Sequence, residues 1–217
     1  LVLAPIVAYI FYLVDIIKMY SDDLNKKTGY MIFMTPNSGY KIIASKLITA
    51  VLEGFGLLLF YFILIIINGG FIVISTGAEI DYSRIITVVD NFISGNFGFN
   101  LGHVFIILFT ILMLIIGFIT TIYTAITIRK SILSDVKFGG LLSFIIFLGI
   151  NWLLSKISTR VFDMITPYFD SLNNISTGSV TPSDLAIIFI PMILASLVQI
   201  IVLTGISGYL LEKKINL

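Results

Sequence analysis

Two carboxylates lie within long apolar runs of this chain, Asp15 and Glu53. A carboxylate inside a bilayer is costly, and in transporters such groups carry protons or sodium ions. Asp15 stands three residues before Lys18, so the two share a helix face and can pair near the inner end of the first run. Glu53 falls about two turns into the second run. It suits two roles: a packing or loop-anchoring contact, or direct work on a substrate or coupling ion.

Other chemistries are excluded by composition. The chain has no cysteine, which rules out disulfides, thiolate zinc sites, iron–sulfur clusters and cysteine nucleophiles. Its single histidine, His103, rules out a multi-histidine metal site within the chain and suits an interfacial place at a helix start. No glycine is followed by lysine, so there is no phosphate-cradling G-x-x-x-x-G-K-[ST] loop. The G-x-S-x-G, H-E-x-x-H and EF-hand patterns are missing too. The reading is of a non-enzyme without catalytic residues, cofactor or metal of its own. Energy for any active transport then comes from a partner or an ion gradient.

These groups must be held by membrane-crossing helices. Of the 217 residues 58% are hydrophobic and 12% charged, and the mean hydropathy is +1.09. Soluble domains carry about 25% charged residues. A span needs about 20 apolar residues. Five runs qualify: 1–19, 47–67, 101–128, 139–154 and 185–211. They lack two-residue alternation, so helices rather than barrel strands are expected. The fold class is therefore an all-α polytopic bundle in one transmembrane domain. Ten of the thirteen Lys and Arg fall on one side if loop 20–46 is cytoplasmic, which also places the C-terminus inside. Leu1 already lies in an apolar run, and an upstream helix giving six spans is expected. The net charge of +1 gives no reason to expect nucleic acid.

Outer loops 68–100 and 155–184 each carry an amphipathic stretch, at 81–93 and 156–172, expected as short surface helices. Pro167 should interrupt the second. Pro5 and Pro191 should kink their helices. Ala50-x-x-x-Gly54 and Thr204-x-x-x-Gly208 fit close helix packing. Thr120, Thr124 and Thr127 share a face suited to contacts between helices. Trp152 and the tyrosines at 20, 82, 168 and 209 suit interfacial anchoring.

The loop at 20–46 is basic yet holds an apolar stretch, Tyr30-Met-Ile-Phe-Met34, too short to span. Thr28 can cap a helix start, Pro36 stops it, and Asn37 or Ser38 can cap the next helix, which runs through Lys46 into the second span. A short apolar helix outside the membrane needs a partner groove or the leaflet surface to cover it.

The stretch from Lys27 to Lys46 resembles the loop between helices two and three of ABC-2-type transporter permeases, through Thr28, Gly29, Thr35, Pro36, Ser38 and Lys46. The acidic pair that the family carries ahead of the glycine is loosely echoed by Asp22 and Asp23. The resemblance implies a six-helix bacterial plasma-membrane permease that pairs with a second copy. It implies a cytosolic ABC ATPase, carrying the ATP and Mg, docked through a coupling helix at about Gly29–Met34. The residues carried over to that contact are Thr28, Gly29, Tyr30, Met31, Phe33, Met34, Thr35 and Pro36. The implied activity is outward export, and the scarcity of intramembrane charge suits an amphipathic or hydrophobic cargo such as a peptide, drug or lipid. Two rivals stay open. One is an ion-coupled carrier or channel using Glu53. The other is a non-transporting immunity or sensory subunit.

Overall fold

A computed structural model of the chain describes residues 3–25, 38–77, 81–94, 101–133, 138–169 and 182–213. They form six helices: α1 (Leu3–Asn25), α2 (Gly39–Thr76), α3 (Tyr82–Ser94), α4 (Leu101–Ile132), α5 (Gly139–Phe169) and α6 (Pro182–Lys213). Five of them, all but α3, contain segments long and apolar enough to cross a membrane.

Helix α4 is the axis of the bundle. It packs most extensively on α6, then on α5, and also touches α1 and α2. Its residues from Ile119 to Thr127 are buried on every side, the signature of a helix enclosed by others. The core gathers Tyr12, Ile16, Tyr20 and Leu24 from α1, a stripe at i+4 spacing, against Ile43, Leu47 and Ala50 of α2 and Ile119, Ile122, Tyr123 and Ile126 of α4. All these residues lie toward one end, where α1 finishes and α2 begins. We call it the loop end. Toward the far end the helices expose large apolar side chains, such as Phe71 and Ile74. Lipid solvates such surface at no cost, whereas water does not.

The helices run past the expected spans. Helix α2 has 38 residues, about 57 Å at 1.5 Å per residue, against about 30 Å of hydrocarbon. Ser38 caps its start by accepting the Lys41 N–H at 3.4 Å. It continues through Asn68, whose amide returns to the Leu64 carbonyl at 2.9 Å. It ends at Gly77, where φ is +62° and the N–H reaches Val73 O. Only glycine takes that left-handed turn without strain.

Two local expectations change. The run at 139–154 and the stretch at 156–172 are not separate helices, because α5 is continuous to Phe169. Charged residues such as Lys156 and Arg160 do not break a helix, and Pro167 comes only at its end. Pro5 lies within α1 and Pro191 inside α6. Second, Tyr20 is not an interfacial anchor: it is buried in the core at 1% exposure. Residues 82–94 do form a helix, capped by Asp81. Its carboxylate accepts the Ser83 hydroxyl at 2.6 Å and the Arg84 N–H at 3.1 Å. Those two bonds hold the Asp81 carboxyl below the usual carboxylate range.

Candidate functional site

The residues expected to dock a partner, Thr28, Gly29, Tyr30, Met31, Phe33, Met34, Thr35 and Pro36, lie in 26–37, outside the described residues. Their flanks are described, and they form a seat. On α1, Asp23 pairs with Lys46 of α2. Two residues on, Asn25 Oδ1 accepts from Arg129 Nη2 of α4 at 3.1 Å. At the start of α2, the Gly39 N–H donates to Glu212 Oε1 of α6 at 3.1 Å. So the segment leaves from a helix end tied to α2 and α4, and re-enters at one tied to α1 and α6.

Small residues make these ties possible. A Cβ on Gly39 would stand 2.8 Å from both Gly208 O and Leu211 Cβ, and one on Gly208 would collide with the Tyr40 ring. Arg129 is only 8% exposed and lies over Gly139, where a Cβ would come within 2.7 Å of Nη1. Glycine at these places lets α2 meet α6 and lets the guanidinium reach between α4 and α5.

A second feature opens between α1 and α2. The two helices run antiparallel, joined by Tyr12 Oη to Ala50 O and Tyr61 Oη to Ala4 O, both at 2.8 Å. Around the Tyr12 tie lies an open groove of about 540 Å³ lined by Phe11, Tyr12, Asp15, Lys18, Glu53 and Leu57 among others. Asp15 and Glu53 both line it, one from each helix. Among the described residues no ion pair joins Asp15 to Lys18, so the expected pairing is not formed. Asp15 and Glu53 stand about seven residues, or roughly 10 Å of helix, from the Asp23–Lys46 pair toward the far end.

A third feature is a polar seam between α4 and α6, which run parallel. Gln199 Nε2 donates to Gly117 O at 3.1 Å and to Thr121 Oγ1 at 3.0 Å. Ser207 Oγ donates to Thr124 Oγ1 at 2.9 Å, and Thr124 reaches Leu203 O at 3.3 Å. Three residues on, Thr127 meets Tyr20 of α1 at 2.6 Å.

The expected residues are thus only partly assembled. Ala50 and Gly54 admit Tyr12 of α1: a Cβ on Gly54 would stand 2.8 Å from its hydroxyl. Thr124 and Thr127 make contacts between helices, while Thr120 bonds to its own helix at Ile116 O. His103 lies in the first turn of α4 and is buried at 2% exposure. The sequence reading missed Thr121, Gln199, Ser207 and Tyr123. A lone amide in an apolar run, as Gln199 is, signals a hydrogen bond to a neighbouring helix. Among the described residues, no three His, Asp or Glu are grouped to hold a metal ion.

No family model, curated protein or solved structure matches the chain.

Proposed function

We propose that this chain is the membrane-spanning subunit of an ATP-driven ABC-2-type exporter in a bacterial plasma membrane. Segment 26–37 faces the cytoplasm and docks into a separate ATPase that carries ATP and Mg. The subunit itself catalyses nothing. It works as a pair with a second copy, and its cargo is an amphipathic or hydrophobic molecule. Helix α3 lies on the outer membrane surface with Ile85, Ile86, Val89 and Ile93 toward lipid.

The observation that supports this reading best is the seat. Both flanks of 26–37 are tied by charged or polar bonds to other helices, Asp23 to Lys46, Asn25 to Arg129 and Gly39 to Glu212. A push on the segment is therefore delivered to α1, α2, α4 and α6 together, as transmission from a motor requires. The test is purification from native membranes, with and without Phe33→Asp and Met34→Asp. The reading expects a P-loop ATPase in the native preparation and its loss in the variant.

The groove supports a second reading, an ion-coupled carrier. Asp15 and Glu53 line one groove between membrane-spanning helices, the arrangement a proton or cation site uses. Transport that survives Glu53→Gln removes that reading.

A further inference from the structure

The α4–α6 seam is built so that parting it orphans no threonine on α4. Thr121 donates to Gly117 O, Thr124 to Thr120 O and Thr127 to Tyr123 O, each at 2.8 Å and each one turn back. With these bonds made within α4, the three oxygens accept from neighbouring helices, and Thr124 also shares its proton with Leu203 O of α6 at 3.3 Å. Gln199 donates to the first, Ser207 to the second and Tyr20 of α1 to the third. The acceptors stand at intervals of three residues, so the pattern repeats under a shift of three.

Gln199 now spans Gly117 O and Thr121 Oγ1. Thr120 O and Thr124 Oγ1 form the same pair three residues on. Thr127, three beyond Thr124, offers Ser207 the same acceptor it has now, once Tyr20 lets go. Gly117 favours the observed position, since a Cβ there would stand 3.4 Å from the Gln199 amide whereas Thr120 carries a full side chain. Thr204 Oγ1 of α6 is buried without a hydrogen-bond partner, as is Tyr123 Oη of α4. Neither hydroxyl contributes a hydrogen bond that holds the observed register.

We propose that α6 has a second register on α4, displaced three residues or about 4.5 Å toward the loop end, in which Gln199 donates to Thr124 and Ser207 takes Thr127 from Tyr20. Along α4 the two registers differ by one interhelical hydrogen bond and orphan no threonine, and the slide also breaks the Gly39–Glu212 tie between α2 and α6. Packed helices switch between such discrete positions rather than deforming continuously. Thr127 is the shared contact: α1 holds it in one register and α6 in the other. Since α1 leads directly into 26–37, anything that moves its last turns selects the register. The device does not depend on what the partner is.

These 217 residues include no cysteine, so spin labels can be placed at Leu101→Cys and Lys213→Cys, both exposed and at opposite ends of two parallel helices. The slide is then read along its length by electron–electron double resonance in lipid vesicles. We expect a second distance about 4.5 Å longer, whose population rises on the order of fivefold with Tyr20→Phe. Adding Thr127→Val should return it to the starting ratio, because each register then lacks its Thr127 bond. A distribution unmoved by Tyr20→Phe overturns the proposal. So does an increase that persists when Thr127→Val is added.

Discussion

Tyr20 of α1 lies flat on Tyr123 of α4, with ring centroids 4.2 Å apart and planes inclined by 20°, while its hydroxyl meets Thr127 at 2.6 Å. This one side chain joins the helix that leads into 26–37 to the centre of the bundle. Packing and hydrogen bonding contribute separately there. Tyr20→Phe keeps the stack and should cost about 1 kcal/mol. Tyr20→Ala also leaves a cavity and should cost about 3–5 kcal/mol. Thermal unfolding in one detergent, compared across both variants, reads the difference.

Glycines at contacts and glycines facing lipid should behave oppositely. Gly208→Ala drives a methyl into the Tyr40 ring and should lower stability by about 1–3 kcal/mol. Gly54→Ala meets the Tyr12 hydroxyl and should cost less, because that side chain can turn away from Ala50. Gly56 has nothing within 4 Å. Gly56→Ala should hold or raise stability, by up to about 1 kcal/mol, since alanine is the better helix former. Equal loss at Gly56 and Gly208 would contradict the packing described.

The Asp81 cap makes the start of α3 sensitive to acid. Its folded carboxyl titrates below the unfolded one because Ser83 and Arg84 bond to the charged form. The stabilisation is therefore complete above the unfolded carboxylate range and is lost as pH falls through the folded value. Amide exchange at Arg84 and Ile85 should quicken over that window. Asp81→Ala should show the fast rate at every pH, and a persistent acid dependence in that variant would assign the effect to another group.

The seat predicts a split between docking and transmission. Arg129→Ala and Lys46→Ala should leave the ATPase bound, because neither lies in 26–37, yet lower cargo movement per ATP hydrolysed. Phe33→Asp with Met34→Asp should remove the ATPase altogether. Measuring bound ATPase and transport on the same vesicles separates the two. If Arg129→Ala simply releases the ATPase, the ties do not transmit motion.

Hydropathy was enough to find five helices long and apolar enough to cross a membrane, because lipid demands unbroken apolar helices and the runs are long. Their ends were harder to place. The second run ends at 67 by hydropathy, but α2 continues to Thr76 until Gly77 supplies a left-handed turn. The change from apolar to charged residues after Leu154 looked like a boundary, yet nothing there breaks a helix. Local sequence does not reveal partners across helices. Asp15 has Lys18 one turn away and shares a groove with Glu53 of α2, and Tyr20 reads as an interfacial tyrosine until α4 is packed against it. Small residues were the better guide. Ala50, Gly54 and Gly208 mark real close approaches, since only there can another helix or side chain come near the backbone.

The central claim is that another protein drives this one through 26–37. The direct measurement is gentle purification from native membranes followed by identification and quantification of whatever co-elutes. The account predicts a soluble P-loop ATPase in fixed stoichiometry, lost with Phe33→Asp and Met34→Asp. A clean membrane complex without any ATPase would contradict it and shift attention to Glu53, Asp15 and an ion gradient.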